Sequence, residues 1–191
     1  MILVSRILWI LPPVRQYKTQ YFYFFLFLAL QDVFGFVIRN IVHSRTNIHF
    51  LLLGLCSIFS LFTLKQLREN LIWAAFLTMI FVSSMILKTD QIADIYLLIL
   101  TQMIVLAVIL KRAVVFIIEN KKINLFYLVF VLYVMLQLTR FFNVVLYFTD
   151  AKYFYNITTL LEYGIAVFFI VFTVKSKKII YNIKYLQNLE Y

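Results

Sequence analysis

Residues 155–175 read YNITTLLEYGIAVFFIVFTVK. The run is long and apolar, as a membrane helix requires, yet it carries a carboxylate, Glu162, near its middle. A membrane-spanning helix takes about 20 mostly apolar residues. A charge facing lipid at that depth costs several kcal/mol, so Glu162 is expected to have a partner inside the protein.

The rest of the chain supports the membrane reading. Of 191 residues, 64% are hydrophobic, 19% aromatic and only 14% charged. The mean hydropathy is +0.95. Soluble domains hold about 45–50% apolar and about 25% charged residues. A chain this short has too little interior to hide the excess from water. Three Gly and two Pro leave little material for long loops. The single cysteine, Cys56, excludes an internal disulfide. The opening MILVSRILWILPPVRQYK has its first charge inside the apolar run and no small-residue cleavage site, so it is expected to be retained.

Six segments have the length and composition of spans: 19–38, 48–64, 70–87, 94–110, 123–148 and 154–174. The turns between them are short and polar: RNIVHSRTN, KQLREN, KTDQIAD, KRAVVFIIENKKIN and TDAKYF. Short turns make consecutive helices antiparallel neighbours. Residues 2–13 either lie in the interface or form a short first helix, giving six or seven spans. The expected fold is therefore all-α: a multi-pass transmembrane helix bundle over residues 1–175. Residues 176–191 follow as a separate tail. There Ile179, Ile180, Ile183 and Leu186 recur at helical spacing beside Lys178 and Lys184, which predicts an amphipathic helix on the inner membrane face.

The basic residues orient the bundle. With alternating sides, thirteen Lys and Arg fall on one side and four on the other, and Arg140 lies within a span. The thirteen-residue side is expected to be cytoplasmic and to hold the C-terminus; with seven spans the N-terminus is outside. The partners implied are the bilayer, anionic lipids at the inner face and, for a subunit, another membrane protein. Nucleic acid is a poor partner, because the net charge of +10 is explained by topology.

An internal repeat is also legible. YFYFFLFLALQDVFGFVIRN (21–40) and LFYLVFVLYVMLQLTRFFNVV (125–145) both open on Phe and Tyr, carry Gln near the middle and Arg beyond it. If residues 2–13 span, the first three and last three helices run in parallel senses with 70–87 as the linker. That layout occurs in small transporters and seven-helix receptors.

The polar residues within the spans form the candidate site. At about 1.5 Å per residue, Glu162 lies roughly 3 Å outward of its span's middle and Asp32, beside Gln31, roughly 4–5 Å. Gln137 lies about 2 Å outward and Arg140 about 7 Å, while Gln102 is close to the middle. Tyr133, Gln137, Arg140 and Val144 share one helix face, as do Thr158 and Glu162. Glu162 is expected to pair with Arg140, with Asp32 sharing the guanidinium, since its fork can accept two carboxylates. The three would sum to −1, which a proton or cation would neutralise. The same groups would equally serve as packing devices that fix helix register.

His43 and His49, six apart near helix ends, do not share a face and make a poor metal or haem pair. Ser83, Ser84 and Thr78 can bond their own helix backbone. The NIT at 156–158 sits at a span's edge, where a glycosylation acceptor has poor access. No Gly-rich phosphate loop, H-E-x-x-H or G-x-S-x-G is present, so neither an enzyme nor a cofactor is expected.

With ILPPVRQYK (10–18) closing a short first helix and YNITTLLEYGIAVFF (155–169) opening the last, the chain resembles a loose group of small seven-helix membrane proteins. The resemblance implies architecture and no activity. PPVRQYK is also similar to the Pro-Gln turn of three-helix-repeat transporters, but Pro13 replaces the Gln and the second half has no Pro. Two function classes follow. One is a small transporter, channel or small-molecule or pH-responsive receptor. The other is a non-catalytic structural or regulatory membrane subunit.

Overall fold

The computed structural model describes residues 2–37, 48–86, 91–146 and 151–182. It is helical, with eight helices among those residues. Seven match the helices expected from sequence: α1 (Ile2–Gln16), α2 (Phe22–Val37), α3 (Ile48–Ser60), α5 (Leu71–Ile86), α6 (Gln91–Asn120), α7 (Leu125–Leu146) and α8 (Ala151–Val171). The eighth, α4 (Leu64–Glu69), is a short helix within the KQLREN turn. It starts on a capping box, in which Gln66 N–H donates to Thr63 Oγ1 at 3.3 Å and Thr63 N–H donates to Gln66 Oε1 at 3.1 Å.

By length and composition, three helices can cross a membrane: Ile92–Asn120, Leu125–Leu146 and Tyr153–Val171. Shorter apolar helical stretches are Phe22–Gln31, Phe50–Ser60 and Leu71–Ile86. Residues 2–16 are helical although Pro12 and Pro13 lie inside. Neither proline has an amide to donate, so the carbonyls four residues earlier, at Leu8 and Trp9, lose their usual partners.

Two expectations are corrected. The segment KRAVVFIIENKKIN is not a turn over its length, because α6 runs unbroken to Asn120. Its residues 113–118 are apolar and contain neither Gly nor Pro, so nothing stops the helix at Lys111. Thirty residues make about 45 Å of helix, longer than a bilayer core of about 30 Å. The reversal comes at Lys121, which takes a left-handed conformation with φ 52°.

The tail is not an amphipathic helix from its start. Lys177–Ile179 form a single 3₁₀ turn and Ile180–Asn182 a short strand, β2. This strand pairs antiparallel with β1 (Lys122–Asn124), in the register Lys122↔Asn182, Ile123↔Tyr181 and Asn124↔Ile180. Ile179 is buried in the main core rather than turned to lipid. Buried Asn124 fixes the junction: its Nδ2 donates to Val174 O at 2.8 Å, and its Oδ1 accepts from Phe126 N–H at 3.0 Å, capping α7. Residues 183–191, including Ile183, Lys184 and Leu186, lie outside the described residues.

The helices close a ring. Helix α1 packs on α2, α2 on α3, α3 on α6, α6 on α7, α7 on α8 and α8 back on α1. At the α3–α6 contact, a Cβ on Gly54 would come within 3.3 Å of Thr101 Cγ2, so the glycine permits the close approach. Helix α5 flanks the ring against α3 and turns Leu71, Ile72, Trp73 and Met79 outward. The ring's interior is aromatic. Phe130 of α7 has five ring neighbours: Tyr21, Phe24, Phe25, Phe126 and Phe169. All six are buried.

Candidate functional site

Arg140 and Glu162 meet across the α7–α8 contact. The spacing of α7 puts Gln137 and Arg140 on one face, and that of α8 puts Tyr155, Thr158, Thr159 and Glu162 on the face opposite. Arg140 Nη1 forms an ion pair with Glu162 Oε1, and only 13% of the Arg140 side chain and 8% of the Glu162 side chain are exposed. Gln137 Nε2 donates to the same carboxylate oxygen. The remaining guanidinium nitrogens are taken by α8 hydroxyls: Nε donates to Thr158 Oγ1 at 2.9 Å and Nη2 to Thr159 Oγ1 at 3.1 Å. Thr158 directs its own proton to Phe154 O at 2.8 Å, which leaves its oxygen free to accept from Arg140. The guanidinium carbon also lies 5.7 Å from the centroid of the Tyr155 ring.

One cation meets one anion, and every guanidinium nitrogen has an acceptor. A pair held this way fixes the rotation and axial offset of α7 against α8. Of the other expected members, Gln31 and Gln102 are half-buried and make no hydrogen bond to this cluster among the described residues. The Asp32 side chain lies outside the described residues, as do Arg39 and His43 and the side chain of His49. On α7, Tyr133 is buried while Val144 is exposed, so the face runs from the core to the surface.

Three polar groups carry contacts that the sequence did not single out. Gln16, at the end of α1, is fully buried, and its Nε2 donates to Phe169 O at 3.1 Å and Phe172 O at 2.8 Å. It thereby caps the C-terminal carbonyls of α8 from another helix, where a helix cannot satisfy its own. Ser84 does not simply bond its own helix: its Oγ donates to buried Asp94 at 3.0 Å, joining α5 to α6. Ser83 and Thr78 do bond backward, to Met79 O and Ala74 O. Arg112 donates from Nη2 to Leu61 O beyond the end of α3 and lies 5.3 Å from the Tyr21 ring centroid.

Of four cavities bounded by described residues, none is lined by Arg140 or Glu162. Three are apolar clefts on the helix surfaces. The fourth, about 280 Å³, lies among α4, α6 and the start of α7 and sets polar side chains among Phe62, Val108, Val115 and Phe116. Among the described residues no group of three His, Cys, Asp or Glu side chains could hold a metal ion. Comparison with protein-family models, curated proteins and solved structures finds no match to this chain.

Proposed function

We propose that the chain is a non-enzymatic integral membrane protein that handles a small molecule, as a small transporter, channel or receptor. In this reading α1, α2, α3, α5, α6, α7 and α8 all cross the bilayer, with the C-terminus on the cytoplasmic side where most Lys and Arg gather. Anionic lipids then meet that face.

One observation carries the reading. The ring of contacts is unchanged when α1, α2 and α3 are exchanged for α6, α7 and α8. Residues in matching places on the two halves then face each other: Tyr21 stands 6.4 Å from Tyr127, and Phe24 stands 4.9 Å from Phe130, ring centroid to ring centroid. Gln31 and Gln137 follow the two tyrosines at equal spacing. Two parallel three-helix halves about an axis along the membrane normal are an arrangement suited to rocking around a central site.

A second reading is favoured by the closed Arg140 network. With every guanidinium nitrogen hydrogen-bonded, the polar layer serves equally as a clip in a structural or regulatory subunit that meets another membrane protein. The two readings differ in whether water reaches the layer. Single cysteines at Gln102 and Gln137, in a Cys56→Ser background, are expected to react with a membrane-impermeant thiol reagent from one side of sealed vesicles. Both positions inert from both sides would sink the small-molecule reading and leave the clip.

A further inference from the structure

Arg112 is a half-buried cation with no carboxylate partner among the described residues. On α6, eight residues before Asn120, it sits about 12 Å from the helix end. Its Nη2 is held by Leu61 O, and its guanidinium carbon lies 5.3 Å from the centroid of the Tyr21 ring. Its Nη1 is buried and has no hydrogen-bond partner among the described residues, while the Tyr21 hydroxyl beside it has the Tyr127 hydroxyl for a neighbour. A buried donor with no acceptor is costly. A guanidinium desolvated without a counter-charge is costlier still.

Arg112 also lines the cavity of about 280 Å³, together with Lys111, Gln20, Gln66, Tyr127 and Glu119. Two cations and one carboxylate give its walls a net positive charge. Glu119 is exposed and pairs with neither cation among the described residues. Lys111 is exposed as well, so the cavity meets solvent on the basic side of the bundle. The amides of Gln20 and Gln66 and the hydroxyl of Tyr127 are neutral hydrogen-bonding groups that can complete the coordination of an oxyanion.

We propose that this cavity binds a small oxyanion of the phosphate class, either a free anion or the phosphate of a lipid headgroup, with Arg112 as its main ligand and Lys111 at its mouth. Arg112 supplies a positive charge that Leu61 O only partly satisfies, and Lys111 adds a second point charge. The cavity, at about 280 Å³, has room for a phosphate group. The proposal rests on the small-molecule reading above and names the ligand's chemistry.

The test uses the full-length protein in nanodiscs of zwitterionic lipid. Inorganic phosphate is titrated against chloride at constant ionic strength, and in a second arm phosphatidic acid replaces part of the lipid. The midpoint of thermal unfolding is expected to rise by about 3–6 °C at roughly ten times the dissociation constant. A rise in the first arm identifies a free anion, and a rise in the second alone identifies a headgroup. Arg112→Gln is expected to abolish the response, and Lys111→Gln to weaken it about tenfold. Lys111 is exposed, so its variant remains informative if Arg112→Gln fails to fold. No rise in either arm, or a rise unchanged in both variants, overturns the site. If the Gln102 and Gln137 cysteines still label, that result removes the anion site and leaves the small-molecule reading standing.

Discussion

Arg140→Met is expected to destabilise the bundle by about 3–5 kcal/mol, because it takes the paired cation away from a buried, charged Glu162. Thr158 and Thr159 lose a donor in the same step. Glu162→Gln is expected to cost less. Its amide oxygen still accepts from Arg140, and the guanidinium keeps both threonines and the Tyr155 ring. The double variant, Arg140→Met with Glu162→Gln, should be more stable than Arg140→Met alone, since no charge is stranded. Ordinary hydrogen bonds between membrane helices contribute about 0.6–2 kcal/mol, so a larger single-variant loss identifies the uncompensated charge as its cause. Thermal unfolding in detergent over the full cycle measures this. Additive losses would mean that the two side chains are not coupled.

Phe130→Ala should be comparably damaging, at about 3–5 kcal/mol. Its ring centroid lies 4.9–6.1 Å from those of Phe24, Tyr21, Phe25, Phe169 and Phe126. Those partners belong to α2, to α7 itself and to α8, with Tyr21 just ahead of α2, so one truncation opens a void where both halves meet. In a bilayer the lost energy is packing rather than exposure to water, because lipid tails are as apolar as the core. Trp73→Ala on α5 is the control. That ring is 68% exposed and faces outward, so its removal should move stability by under about 0.5 kcal/mol. Equal losses from both variants would contradict the aromatic hub.

The features legible in the sequence are those with few physical solutions. A charge within an apolar run must find a partner, and spacing alone put Arg140 and Glu162 on facing stripes at similar depth. A short helix over residues 2–13 was one of two readings of the opening segment, and the helix runs on through both prolines to Gln16. The unreadable features depend on tertiary contact. Lys111 does not reveal that α6 continues to Asn120, because an apolar helix can run past the membrane as easily as it can stop. The isoleucines at 179 and 180 fit a helical period and an extended strand alike over so short a stretch, and the exposed edge of Lys122–Asn124 decided for the strand. Gln16 reads as a turn residue until α8 ends beside it. Arg112 is one of many cations between the apolar runs, and only the approach of Tyr21 and Leu61 distinguishes it. Thr159 is one more hydroxyl in NITTLLEY, given a role by the reach of Arg140.

The closed ring of two three-helix halves is tested most directly where the chain's ends meet. Gln16 of α1 touches the α8 terminus at Phe169 and Phe172, residues more than 150 positions away in sequence. A Cys56→Ser chain carrying Gln16→Cys and Phe172→Cys, with a protease site inserted in residues 39–47, can be treated in native membranes with a short bifunctional thiol reagent and then cut. The two fragments should stay joined under denaturing conditions, and dilution of the protein in the membrane should not change the yield. Fragments that separate fully, or a yield that falls with dilution, would contradict the ring.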